Sequence, residues 1–386
     1  MWSRWRGAVI ELITNSTIFA SIALGILPYG YDRPRRRIVS SKCCLIYCIC
    51  IDVIVICLAL YVWPKEKLVN LERIYYWTLV ELLCRFIIFV NISALLVIMW
   101  TNWSEYTCVL GIFNEFAAIE RTYFARHERL AKSCVTFEKY LILKSLAMLF
   151  KNMSFLYVVL ILFKDMSFST AVVHTIAMIM VNVIALVVFH FYMFILFTYR
   201  YIWIMKQRIK IIANYVASNI DCGTLQLEIN EITGVYIRIL RVCQQFGRIY
   251  GKQMLLCISG VASVNVLTLI TLLFVWRSSD DTLNIIYCWY VIIINTLDFW
   301  LIIAVCELAL GTALQLVQLQ RYFNDCAHLD AALARDLETL ALVCATCSPQ
   351  FRLCGLLDLD YSNGLKVLLT VILFVICLVQ INYEDL

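Results

Sequence analysis

Proline is scarce in this chain, and so is charge. The four prolines, at 28, 34, 64 and 349, all fall outside the long apolar runs, so no helix built from those runs is kinked by a pyrrolidine ring. Charged residues make up 15% of the chain against 63% hydrophobic ones, which excludes a soluble single-core protein of this length, because its apolar surface would have no polar shell. The 12 glycines form no phosphate-cradling loop, and no serine sits in a nucleophile elbow. Histidine occurs four times, at 127, 174, 190 and 328, without a pair at metal-binding spacing. These shortages leave enzyme chemistry without a foothold, and neither a cofactor nor a nucleic-acid partner is expected.

What the chain has in abundance is long apolar sequence. A bilayer-crossing helix needs about 20 such residues. Seven stretches qualify: 43–63, 76–100, 141–163, 171–198, 253–276, 286–313 and 365–383. The predicted class is therefore all-α, a polytopic protein with seven transmembrane helices. Of the 32 Lys and Arg, 23 lie in residues 1–41, 101–140, 200–252 and 314–366, whereas the alternate connections 64–75, 164–170 and 277–285 carry five. Basic residues stay on the cytoplasmic side, and the cluster Arg33, Arg35, Arg36 and Arg37 directly precedes the first span. An N-terminus inside the cell and a C-terminus outside follow. The expected segments are a cytoplasmic N-terminal stretch over 1–42, six spans with long cytoplasmic helical loops over 43–313, a cytoplasmic anchor over 314–364, and a seventh span with a short extracellular tail over 365–386.

Residues 8–27 contain Glu11, Asn15 and Ser16, lack a small-residue cleavage site, and read as a helix lying at the interface rather than a signal peptide. Most of the 18 cysteines sit in or beside spans, where the thiol behaves as a small hydrophobe. Cys344-x-x-Cys347 has no second pair nearby and reads as helix packing. Residues 200–250 and 314–345 continue in helical pattern with apolar stripes, including Leu333, Leu337 and Leu340. Such stripes outside a bilayer must be buried, most economically against each other.

Two groups of residues stand out as functional candidates. In the last span Thr370, Leu373, Cys377, Gln380 and Glu384 recur at spacings of three and four and share one helical face, while the other faces are almost wholly Val, Ile, Leu and Phe. A face more polar than the rest belongs against water or against another helix, and both readings stay open. The second group marks a ligand pocket. The second span opens with Tyr75, Tyr76 and Trp77 and then carries Glu81 and Arg85, one turn apart and able to pair. The sixth opens with Tyr287, Trp289 and Tyr290 and continues to Asn295 and Asp298. Aromatic walls with a few ionisable anchors suit a cationic or amphipathic small molecule. The alternatives are an interfacial aromatic belt and an intrahelical ion pair. Lys144 and Lys151 in the third span are placed to reach carboxylates on neighbouring helices, and Glu307 to pair near the inner end of the sixth.

Cys354-Gly-Leu-Leu-Asp-Leu-Asp360, followed by a last span ending Val379-Gln380-Ile381, resembles the closing segment of insect gustatory receptors. Gly25-Ile-Leu-Pro-Tyr29, then Tyr31 and basic residues, is similar to that family's N-terminal segment. The family's Thr-Tyr is Leu373-Phe374 here, and its closing Phe is Ile381. The resemblance implies a tastant-gated, non-selective cation channel in the plasma membrane of a sensory dendrite, assembled as a homotetramer or as a heterotetramer with related receptors. In that assembly the last span, with Thr370, Leu373, Cys377, Gln380, Ile381 and Glu384, lines the pore. The earlier spans, with Glu81, Arg85, Trp77, Trp289, Tyr290 and Asp298, form a pocket open to the outside that suits bitter compounds better than sugars. The alternative is a seven-helix receptor coupled to G proteins. That class places its basic loops on the other side and carries an Asp-Arg-Tyr-like motif and Asn-Pro-x-x-Tyr, neither of which is present.

Overall fold

A computed structural model describes residues 2–32, 37–62, 78–162, 168–217, 222–278, 282–318, 323 and 331–381. Eleven α-helices account for nearly all of them: α1 Trp2–Ala23, α2 Lys42–Val62, α3 Thr78–Ser104, α4 Tyr106–Thr122, α5 Glu128–Lys132, α6 Val135–Leu162, α7 Phe168–Ala217, α8 Cys222–Ser278, α9 Thr282–Gln318, α10 Ala331–Thr346 and α11 Tyr361–Ile381. Two short antiparallel hairpins join them, β1 Tyr29–Asp32 with β2 Arg37–Ser40 and β3 Arg352–Leu353 with β4 Leu357–Asp358.

The described parts of all seven apolar runs fall within helices, in α2, α3, α6, α7, α8, α9 and α11 in turn. Glu81–Ser104, Thr175–Val216, Leu225–Leu273, Thr282–Gln318 and Tyr361–Gln380 are long and apolar enough to cross a membrane by length and composition. Helices are the natural outcome, because a backbone in hydrocarbon must satisfy its own N–H and C=O groups within the segment.

α7 and α8 have 50 and 57 residues, or about 75 and 85 Å at the helical rise of 1.5 Å per residue, far beyond a hydrocarbon layer of about 30 Å. The long connections expected after the fourth span and before the fifth are therefore extensions of the spanning helices themselves. The extensions pack together with α4 and α10. Phe246 of α8 stacks on Phe194 of α7 with centroids 3.7 Å apart, and Phe116 of α4 packs on Phe194 and Tyr201. Leu333, Leu337, Leu340 and Cys344 form the buried face of α10, which lies on α8 and α9. Polar pairs stitch the periphery: ion pairs of Arg208 with Glu228 at 2.7 Å and Arg238 with Glu115 at 2.7 Å, and a hydrogen bond from Asn230 to Asp336 at 2.9 Å.

The N-terminal region is tied to this body at three points. Ser21 of α1 meets the Nε2 atom of His190 in α7 at 2.7 Å, Tyr29 donates to the Tyr106 carbonyl at 2.9 Å, and the Asn114 side chain both donates to and accepts from the backbone of Ile38. His190 is thus a partnered polar group rather than a free ligand, and the His174 side chain lies outside the described residues.

At the other end of the chain, the β3–β4 hairpin sits directly against α8 at Gly251. A Cβ on Gly251 would come within 3.2 Å of the Cys354 backbone nitrogen, so the glycine makes room for the hairpin that leads into α11. Gly251→Val is expected to push the hairpin off α8 and destabilise the protein by about 1–3 kcal/mol, the usual cost of overpacking. A thermal-unfolding series in detergent with tagged protein checks this, and an unchanged midpoint counts against the contact.

Candidate functional site

The last helix, α11, is held to the body along one side only. Val371, Val375 and Leu378 are buried against Leu83 of α3 and Val266 and Ile270 of α8. Leu373, Cys377 and Gln380 lie on the opposite side and are exposed, Leu373 to 60% of its surface, and Thr370 is exposed at the edge of the cleft that α11 forms with α3 and α8. The Thr370 hydroxyl turns back to the Lys366 carbonyl at 2.8 Å, as hydroxyls do inside helices. One helix therefore carries a sealed apolar face and a wide uncovered surface, where a hydroxyl, a thiol and an amide stand among exposed Leu369, Ile372, Leu373, Phe374 and Ile376. The packing alternative for that stripe requires neighbours within the chain, and the described residues of this chain leave it open. The Ile381 side chain and all of Glu384 lie outside the described residues, as does Trp77.

The two halves of the expected pocket separate in space. Glu81 and Arg85 do pair, at 2.5 Å within α3, and both remain partly exposed. Arg85 lines a cleft of about 820 Å³ between α3, α8 and α11, with Phe86, Phe89, Val266, Thr370 and Phe374 among its walls. Asp298 is elsewhere, inside the packing of α6, α7 and α9. Its Oδ1 accepts from Lys144 Nζ at 2.5 Å, and the same ammonium reaches the Asp298 carbonyl at 3.2 Å. Lys144 is 2% exposed and its charge also stands 5.2 Å from the centre of the Tyr192 ring, a cation–π arrangement. Tyr192 in turn donates to the Tyr140 carbonyl at 2.8 Å. The carboxylate read from the sequence as a ligand anchor is thus engaged by a lysine of the third span. A ligand at Asp298 would have to displace or share that ammonium. Trp289 is half exposed near the start of α9, and Tyr290 donates to the Phe150 carbonyl at 2.7 Å, linking α9 to α6.

Asp52 and Asn265 were not singled out from the sequence, whereas Asn295 was, beside Asp298. Asp52 of α2 accepts from the Trp103 indole at 2.9 Å, and the buried amides of Asn295 and Asn265 bond α9 to α8 at 3.2 Å. A charged residue midway along an apolar run is the signal that points to Asp52. Cys344 is buried under the Tyr236 side, and burial pushes its thiol up to about 12, so it stays a neutral packing group. Among the described residues no cluster of His, Cys, Asp or Glu is arranged to hold a metal ion.

A bundle of helices long and apolar enough to cross a membrane, with a polar core pair and a last helix half uncovered, has the architecture of a multi-pass membrane protein. Residues 15–385 match the family described as 7tm Chemosensory receptor. "Putative gustatory receptor 22a" of Drosophila melanogaster is 26% identical, covering 96% of this chain and 94% of that protein. "Gustatory receptor for bitter taste 22e" of the same fly is 23% identical, covering 99% and 97%. The solved structure of the insect olfactory receptor OR5 from Machilis hrabei shares the fold, with a TM-score of 0.64 at 10% identity over 98% of this chain and all of that one. The chain belongs to the 7tm chemosensory receptor family, as an insect gustatory receptor.

Removing one partner of the Lys144–Asp298 pair strands a charge in an apolar interior. Lys144→Met is expected to cost about 3–5 kcal/mol, and Lys144→Met combined with Asp298→Leu to restore most of it, because the buried pair itself is close to neutral relative to apolar packing. Surface expression and thermal midpoint of the single and double variants measure this. Additive losses would show that the two residues do not act as a pair.

Proposed function

We propose that the protein is a tastant-gated, non-selective cation channel of the plasma membrane, with α11 lining the pore. The observation that carries this reading is the uncovered side of α11, where Leu373, Cys377 and Gln380 lie opposite the face buried on α8 and Thr370 stands exposed at its edge. Four copies around a common axis would turn that face into stacked rings. Leu373 would form an apolar constriction, which gates by dewetting, and the Gln380 amide oxygens would form a ring favouring cations. Ile381 would lie beside that ring and Glu384 would add negative charge at the outer mouth. The stripe's polarity supports water rather than lipid as its neighbour. The assembly would be a homotetramer, or a heterotetramer with related receptors.

The charge asymmetry of the sequence supports a cytoplasmic N-terminus and an extracellular C-terminus. On that orientation the anchor built from α4, α10 and the ends of α7 and α8 lies in the cytoplasm, and the Arg85 side of α3 faces the outer half of the membrane. Glu81, Arg85, Trp77, Trp289, Tyr290 and Asp298 would contribute to ligand recognition, directly or through the helices they hold. A small organic tastant of the bitter class fits the aromatic, sparsely charged surroundings better than a sugar, which demands denser hydrogen bonding. The relative named for bitter taste and the olfactory receptor solved with eugenol point toward small organic ligands of this kind. A sensory dendrite is the expected location.

Tagging each terminus and recording whole-cell current from the same cells tests the reading. An internal N-terminal tag, an external C-terminal tag and fast ligand-evoked current that survives G-protein block are expected. An external N-terminus, or responses abolished by that block, would overturn it. Gln380→Ala is expected to shift the reversal potential under mixed sodium and calcium gradients. An unchanged reversal potential at equal surface level would remove Gln380 from the conduction path.

A further inference from the structure

The inner end of α11 is fastened to α9 by three contacts on one face of that helix. Residues 300, 303 and 307 are three and four apart, so their side chains share a side of α9. Glu307 Oε1 accepts a hydrogen bond from the Tyr361 backbone N–H at 3.1 Å. The Trp300 and Tyr361 rings lie 5.3 Å apart. Between them α11 presents Gly364, where an added Cβ would collide with Cδ1 of Ile303 and stand 3.4 Å from its Cγ1. The glycine is what leaves room for the Ile303 side chain against the α11 backbone.

The hydrogen bond is placed where it has the most effect. The first four N–H groups of a helix have no partner within the helix. At α11 two of them are satisfied by carboxylates: Asp360 accepts from Asn363 N at 2.6 Å as a local cap, and Glu307 takes the Tyr361 N–H from another helix. A negative charge at this end also suits the helix dipole. Asp360 moves with α11, whereas Glu307 belongs to α9. The Glu307 bond is thus the one that ties the position of the helix, not only its folding, to the body.

α9 is at the same time the helix that carries Asp298, nine residues away, or about 14 Å along the axis. Lys144 clamps that point to α6, and the same ammonium lies over Tyr192 of α7. The helix therefore has one hold in the centre of the bundle and a second on the base of α11. Displacing α9 at the first hold would change the second.

We infer that Glu307 is a positioning residue for the pore: with Trp300, Ile303 and Gly364 it latches the inner end of α11 to α9 and fixes the place of the pore helix. This rests on the channel reading above for what α11 does, but not for where it sits. Release of the latch would free the base of α11 and raise current in the absence of ligand.

The test uses the full-length protein in intact cells and two readouts. The first is geometric: Ile303→Cys with Gly364→Cys is oxidised, and the rate of disulfide formation is followed by mass spectrometry of the linked peptides, with and without Glu307→Ala. The second is ligand-free current at matched surface level for the native protein, Glu307→Ala and Glu307→Gln. Glu307→Ala is expected to slow cross-linking and raise ligand-free current, each by about fivefold, the lower range of ordinary coupling energies. Glu307→Gln keeps an acceptor oxygen and is expected to restore both toward the native values, which a general loss of fold would not do. Cross-linking unchanged by Glu307→Ala would overturn the latch. Slower cross-linking with unchanged ligand-free current, in cells where the native protein conducts, would overturn its control of the pore. Slower cross-linking in a protein that never conducts would remove the channel reading and leave the latch standing as a device that positions α11.

Discussion

Three polar side chains on α9 each find a partner on a different neighbour: Asn295 on α8, Asp298 on α6 and Glu307 on α11. In an apolar layer there is no hydrophobic driving force to sort one greasy helix face from another, so packing and interhelical hydrogen bonds decide which helices adjoin and in what register. A leaflet of Leu, Ile and Val surfaces would tolerate many slid or rotated arrangements. The three bonds remove most of them. Each is modest by itself, since such bonds average about 0.6 kcal/mol, but the two buried ones, at Asn295 and Asp298, become costly to break singly because each strands a polar group away from water. The arrangement of α6, α8 and α11 around α9 follows from these three points.

Outside that layer the same helices continue into a different solvent and obey different rules. There α7 meets α8 and α4 through packed aromatics and α10 lays its leucine face on α8 and α9, with charged pairs at the rim. Burial of aromatic and aliphatic surface away from water drives this part, and the ion pairs at its edge add specificity more than energy. Continuous helices, α7 and α8 the longest of them, join the two regions. A helix is stiff over such lengths, so a displacement in one region is carried into the other as a tilt or shift rather than absorbed in a loop.

The motif before α11 shows how family-like residues acquire physical meaning. Asp358 closes the β3–β4 hairpin by pairing with Arg352 at 2.5 Å, which also holds the Arg352 guanidinium more firmly protonated. Asp360 caps the helix at Asn363, and Gly364 lets α11 approach Ile303. Cys354 and Gly355 adopt the left-handed backbone that a tight three-residue turn requires, with φ of 53° and 71°. A string of small, acidic and apolar residues is thereby a turn, a brace and a cap in succession, and it delivers the last helix at a set place on α9. The spacing suggested importance, and the contacts supply the reason.

Hydrophobic run length and the rarity of proline were enough to define an all-helical membrane protein, because the bilayer imposes both the length and the hydrogen bonding of anything that crosses it. Helical spacing likewise made the polar stripe of the last span legible, since residues three and four apart must share a face whatever surrounds them. Partners across helices were not legible. Glu81 and Arg85 pair within one helix, as their spacing allows, whereas Lys144 was read only as reaching some carboxylate on a neighbouring helix, and the structure pairs it with Asp298, 154 residues later in the chain. Nothing in local sequence encodes which of several intramembrane carboxylates a lysine will meet. Likewise Glu307 on its own is an acidic residue near the end of an apolar run, and only the close approach of α9 and α11 at Gly364 makes it the cap of another helix. Properties set by the solvent and by helical period belong to the sequence. Properties set by which surfaces adjoin belong to the tertiary structure, because they depend on contacts whose members lie far apart along the chain.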